Sequence, residues 1–106
     1  MHATEEMKDE RRFEKIFVTL SKAAPVILKT VPIIKQQCVE KLEMCRRQEA
    51  PVKSRAMWTP LDQKTSQVIR LAEQLKVRLA SIKLKEPGVE NDVDFWQLCG
   101  AFVRVL

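Results

Sequence analysis

The residues able to do chemistry are few. The one histidine, His2, stands at the N-terminus, where a mobile chain end is the expectation, so His-assisted nucleophile and His–metal arrangements are left without the usual general base or ligand. The three cysteines, Cys38, Cys45 and Cys99, are odd in number and contain no CxxC pair. Cys38 and Cys45 stand two helical turns apart, which puts their Cα atoms about 10 Å from each other, beyond the roughly 7 Å a disulfide spans. They read as reduced, buried, small apolar side chains. The carboxylates Glu40, Glu43, Asp62 and Glu73 fall at solvent positions of helical patterns and not in pairs suited to acid–base work. With 2 glycines in 106 residues there is no glycine-rich phosphate loop either. The sequence therefore predicts no catalytic residue, no metal site and no cofactor, and a chain that is not an enzyme is the expectation.

The elements that would position any binding residue are helices. Residues 59–85 carry Val68, Ala72, Leu75, Leu79 and Ile82 at steps of 4, 3, 4 and 3, one face of a helix, with Leu61 and Thr65 extending the series backwards. Thr59 as N-cap, Pro60 at the first helical position and Asp62 three after the cap predict its start, and Glu86-Pro87-Gly88 its stop. No stretch alternates with period two for long enough to predict a strand.

Ahead of it, Thr4 can cap a helix whose first turns are acidic. Phe13, Phe17, Leu20, Ala24, Ile27, Val31, Ile34, Cys38, Leu42 and Cys45 then keep one helical phase for more than thirty residues. Pro25 and Pro32 interrupt it, each at about 3 kcal/mol inside a helix. The phase favours one kinked helix; the composition of residues 22–30 favours a break, and a bend or break between Ala23 and Val31 is the expectation, with one helix over 4–23 and another over 32–49. Residues 50–58 read as the one long connection, ending on Trp58. A last helix, capped by Asn91 or Asp92, presents Phe95, Leu98, Cys99, Phe102 and Leu106. Its pattern stops without Gly, Pro or a polar cap, which predicts a fragment of a longer protein.

Together these predict one all-α domain over residues 1–106, a three- or four-helix antiparallel bundle with its first segment bent or broken near Pro25/Pro32. The N-terminus is not that of a signal peptide, no continuous apolar run of transmembrane length is seen, and the expected location is intracellular, in the cytoplasm or nucleus.

The formal net charge is +5. The excess gathers mid-chain, in Arg46, Arg47, Lys53 and Arg55 and in a second strip, Lys76 with Lys83 and Arg78 with Lys85. An apolar, proline-interrupted stretch over 25–34 cannot pack as a regular ridge and leaves grooves. The chain thus reads as a protein-interaction module, a scaffold or adaptor bundle or complex subunit. It would bind a partner helix or peptide, or a second copy of itself, through the 25–34 region or the unfinished last helix; the candidate contact residues are Val26, Ile27, Ile33 and Trp58, together with Arg46, Arg47, Lys53 and Arg55. The alternative reading is a basic-patch binder of nucleic acid or anionic lipid; no RNA- or DNA-binding motif accompanies the charge.

Overall fold

The computed structural model describes the backbone of residues 5–105 and the side chains of 11–105 except Val52. Three α-helices follow in order: α1 (Glu5–Arg46), α2 (Val52–Ser81) and α3 (Val93–Val105), with a 3-10 turn, Val89–Asn91, leading into α3. No strand occurs among the described residues. His2, the Thr4 cap and Leu106 lie outside them.

The expected break in the first segment is not made. α1 is one helix of 42 residues with Pro25 and Pro32 inside it, about 63 Å long at 1.5 Å per residue, and it sets the long axis of a rod 67 × 22 × 18 Å. Each proline leaves one carbonyl without its helical donor, at about 3 kcal/mol. A break would instead throw Ile27, Val31, Cys38 and Leu42 out of phase with Phe13 and Ala24. Each large apolar side chain so lost is worth about 1.5–3 kcal/mol, so the continuous helix wins.

The second helix also departs from its predicted limits. Thr59 is not its cap: α2 begins at Val52 behind Pro51 in extended conformation (φ −60°, ψ 145°), and Pro60 sits inside it. The reason lies on α1. A salt bridge of 3.0 Å from Lys35 Nζ to Asp62 Oδ1 fixes the antiparallel register. Cys38, with no exposed surface, must then be covered by the part of α2 before Asp62, so 52–59 cannot remain a loop. At its other end α2 stops at Ser81, with Ile82 extended (φ −84°, ψ 133°). Lys83 and Lys85 therefore leave the helix, and the second basic strip does not form.

The loop between α1 and α2 shrinks to five residues, 47–51. It opens with a Schellman turn in which the Glu49 amide donates to the Met44 carbonyl (2.9 Å) and the Gln48 amide to Cys45 (3.1 Å). Gln48 holds the left-handed conformation this requires, φ 61°. Glycine meets that conformation without a Cβ penalty. Gln48→Gly should accordingly raise stability by about 0.5–1 kcal/mol, read as a higher urea midpoint at unchanged slope; a lower midpoint would mean the Gln48 side chain supplies more than its backbone strain costs.

The core is two clusters along the α1–α2 seam. Val68, Leu71, Ala72, Leu75 and Phe102 form one, flanked by Leu20, Ile27, Leu28 and Val31. Phe13, Leu79 and Phe95 form the other, flanked by Ile16, Phe17, Ile82 and Trp96. The central stripe is thus the core that its spacing predicts, except that Ile82 is only half-buried, as are Leu20 and Leu42, while Leu61 remains 37% exposed.

α3 is anchored at its start by Asp92. Its Oδ1 accepts the Phe95 amide at 2.9 Å, an N-cap bond, and its Oδ2 pairs with Arg78 of α2. Burial works to raise the Asp92 pKa, but the Phe95 amide and the Arg78 guanidinium outweigh it and hold the carboxyl below its ordinary value. A group depressed in the folded state adds stability that is complete above its unfolded pKa of about 3.9 and is lost as pH falls through the folded value. Asp92→Asn keeps an N-cap acceptor but removes the charge; it should cost about 1 kcal/mol near neutral pH and flatten the loss of stability below about pH 4. An unchanged acid limb in urea melts would show that Asp92 is not the group responsible.

Candidate functional site

α3 covers only part of the rod. Phe95 sits level with Phe13 and Leu79, and Phe102 reaches Val68 and Leu75. The described residues of α3 pack no further along the hairpin than the Val68–Phe102 cluster, and from Val68 back to Val52 the hairpin runs for another four to five turns. Helical spacing identifies the walls of that open stretch. On α1 the line Ile16, Leu20, Ala23, Ile27 continues to Thr30 and Ile34; on α2 the line Leu75, Leu71, Val68 continues to Lys64, Leu61, Met57 and Lys53. Ile34 is 41%, Met57 62% and Leu61 37% exposed. These are large apolar side chains on the line that α3 buries elsewhere.

The opposite side of the hairpin is different. Val39, Leu42, Glu43, Arg46, Arg55 and Asp62 line a mixed cleft there. Glu43 accepts Arg46, and Arg47 Nε lies 3.4 Å from it. Its carboxyl is held below the ordinary value, chiefly by the Arg46 hydrogen bond.

The residues read from the sequence as a partner surface are therefore dispersed. Val26 and Ile33 point outward from α1, 58% and 62% exposed, whereas Ile27 turns in to the core. One face of a continuous helix cannot carry all three. Trp58 is half-buried. Arg46 and Arg55 share the mixed cleft, both Arg46 and Arg47 are engaged by Glu43, and only Lys53 stands on the open groove's line. Ile34 closes the 25–34 stretch that the sequence offers as a partner surface, whereas Met57 and Leu61 are not among the residues it points to. Met57 and Leu61 repeat the spacing that leads to Val68, a signal legible only once α2 is known to start at Val52.

The cysteines stay apart from any site. Cys38 is buried; Cys45, expected to be buried, is half-exposed in the last turns of α1, where the covering helix runs out. Burial pushes the Cys99 thiol up to about 11. No three His, Cys, Asp or Glu side chains converge as metal ligands among the described residues.

The arrangement is a partly covered helical hairpin with large apolar side chains exposed along one side. Residues 2–106 match the family model described as SOG2, RAM signalling pathway protein. The chain belongs to that family. Comparison with curated proteins gives no match, and comparison with solved structures gives none either. Membership in the SOG2 family places the bundle among signalling-pathway proteins, a setting in which protein partners are the expected ligands.

Proposed function

We propose that this SOG2-family chain is a non-enzymatic scaffold or adaptor module of RAM signalling, working in the cytoplasm or nucleus. It docks a helix or peptide segment of another protein in the groove beyond Val105. One observation carries the reading: Ile34, Met57 and Leu61 extend the two lines of side chains that bury α3, and they stand exposed among the described residues. Lys53 and Lys64 stand along the same wall, so a partner segment with an apolar face and acidic flanks fits it.

A photo-cross-linking side chain at position 57 should capture a protein partner in cells, whereas one at Val77, 72% exposed on another face of α2, should not. Met57→Glu with Leu61→Glu should abolish capture by a cross-linker at position 34 while leaving helicity intact. Equal capture at 57 and 77 would place the surface elsewhere. Sedimentation at twice the chain mass, with self-cross-linking at 57, would make a second copy the occupant. The absence of any protein adduct at all three positions would end the interaction-module reading.

A further inference from the structure

The face of α1 directed away from the hairpin has a composition of its own. Arg11, Lys15, Val18, Lys22, Val26, Lys29 and Ile33 follow at steps of 4, 3, 4, 4, 3 and 4. At about 100° per residue they fall within an arc of about 80°, opposite the core-facing Phe13, Ala24, Val31 and Cys38. All seven are exposed, with Val18 at 41%, Val26 at 58% and Ile33 at 62%. Lys22 and Lys29 make no ion pair among the described residues, and no acidic residue occurs between Glu14 and Glu40. The Thr19 and Thr30 hydroxyls flanking this row are turned back onto the Lys15 and Val26 carbonyls, at 2.8 and 2.9 Å. They therefore add little free polarity to the surface.

The sequence reading that no apolar run reaches transmembrane length is also revised by the unbroken helix. An 18-residue window within Arg11–Arg46 has mean hydropathy 1.5, long and apolar enough by those measures to cross a membrane. Its inner face, however, packs on α2, with Ala24 and Cys38 buried and Ile27 and Val31 half-buried. What remains for lipid is the outer face. Aliphatic side chains alternate there with lysines whose stems can lie along an apolar surface while the ammonium groups stay at the headgroups. The face is convex and one helix wide, so it forms no groove for a peptide, and it carries no aromatic ring on which bases could stack. A flat anionic surface is its complement.

We propose that the outer face of α1 over residues 11–33 docks on a membrane surface bearing anionic phospholipid headgroups, with the rod lying in the plane of the membrane. About 33 Å of helix is then in contact, and the groove beyond Val105 faces away from the lipid edge-on, free for its own partner. This goes beyond the docking function above and does not depend on it.

Flotation of the full chain with phosphatidylcholine vesicles, with and without phosphatidylserine, tests the proposal. Binding should require phosphatidylserine and weaken as salt is raised. Each cation near an anionic surface is worth about fivefold in partitioning, so Lys22→Gln with Lys29→Gln should lower it about 25-fold. Val26→Ser with Ile33→Ser should also weaken it. Lys76→Gln with Lys83→Gln, and the groove pair Met57→Glu with Leu61→Glu, should leave it near wild type apart from a general charge effect. All these side chains are exposed, and helicity by circular dichroism checks that the variants fold. The proposal is overturned by failure to float with phosphatidylserine vesicles, by an equal loss in the Lys76/Lys83 control, or by binding to duplex DNA that matches vesicle binding and ignores Val26 and Ile33. That last outcome would make the face a general polyanion site.

Discussion

Leu75→Asp should leave the chain unfolded at room temperature. Leu75 is 1% exposed at the centre of the Val68–Ala72–Phe102 cluster, where α1, α2 and α3 all contribute side chains. Substitution removes the burial of a leucine, about 2–5 kcal/mol for truncation alone, and adds a carboxylate with no cation or amide donor in the cluster to receive it. The total stability of a domain this size is about 5–15 kcal/mol, so losses of this size are enough to unfold it. Far-UV circular dichroism should show loss of most helicity near neutral pH, with partial recovery in acid as the carboxyl protonates. A variant with native helicity and melting temperature would mean that the cluster does not hold the bundle together. Leu75→Ala, expected to stay folded at lower stability, separates loss of packing from the cost of the charge.

The second large effect is expected at Phe13. Its ring is 1% exposed and lies 4.7 Å from Phe95, 5.7 Å from Trp96 in an edge-on arrangement and 6.3 Å from Phe17, centroid to centroid. α3 meets α1 through these side chains rather than through close backbone approach, so this aromatic group is what closes the three-helix end of the rod. Arg12 completes it, its guanidinium 5.9 Å from the Trp96 ring, while the Trp96 indole N–H donates to the Glu90 carbonyl at 2.7 Å. Phe13→Ala should cost about 3–5 kcal/mol and release α3 before the hairpin melts. In a Trp58→Phe background the remaining tryptophan reports directly: Trp96 emission should shift to the red at denaturant concentrations where helicity is still largely retained. Coincident fluorescence and helicity transitions at wild-type stability would show that α2 alone holds α3. A cycle with Phe95→Ala should give a coupling of about 0.5–1.5 kcal/mol if the two rings act as a pair.

Both effects bear on function through the same division of the molecule. Among the described residues α3 packs on one end of the α1–α2 hairpin and leaves Ile34, Met57 and Leu61 exposed toward the other. Covering the outer face of α1 with lipid and the groove with a protein segment would use two surfaces that do not overlap, consistent with a scaffold role in which one side is anchored and the other recruits.

The sequence by itself determined the class of the fold and most of the core. Val68, Ala72, Leu75 and Leu79 on α2, and Phe95 and Phe102 on α3, are buried where a 3.6-residue period puts them, because a helical stripe faces one way whatever it packs against. Asp92 could be named as one of two candidate caps because a short side-chain acceptor just before an acidic first turn is a local, chain-adjacent requirement. The tertiary structure decided what local rules leave open. Thr59-Pro60-Leu61-Asp62 has the residues of a helix start, yet the helix runs through it, since covering Cys38 and Leu42 on α1 outweighs one unsatisfied carbonyl. Pro25 and Pro32 read as a break for the same local reason and are overruled by the register that Lys35 and Asp62 share across 27 positions of chain. The surfaces were the least legible part. Exposure depends on which helices pack on a face: Ile34, Met57 and Leu61 have the spacing of core residues yet stand exposed among the described residues, whereas Ile27, which reads as a contact residue, is turned inward by the phase of one unbroken helix.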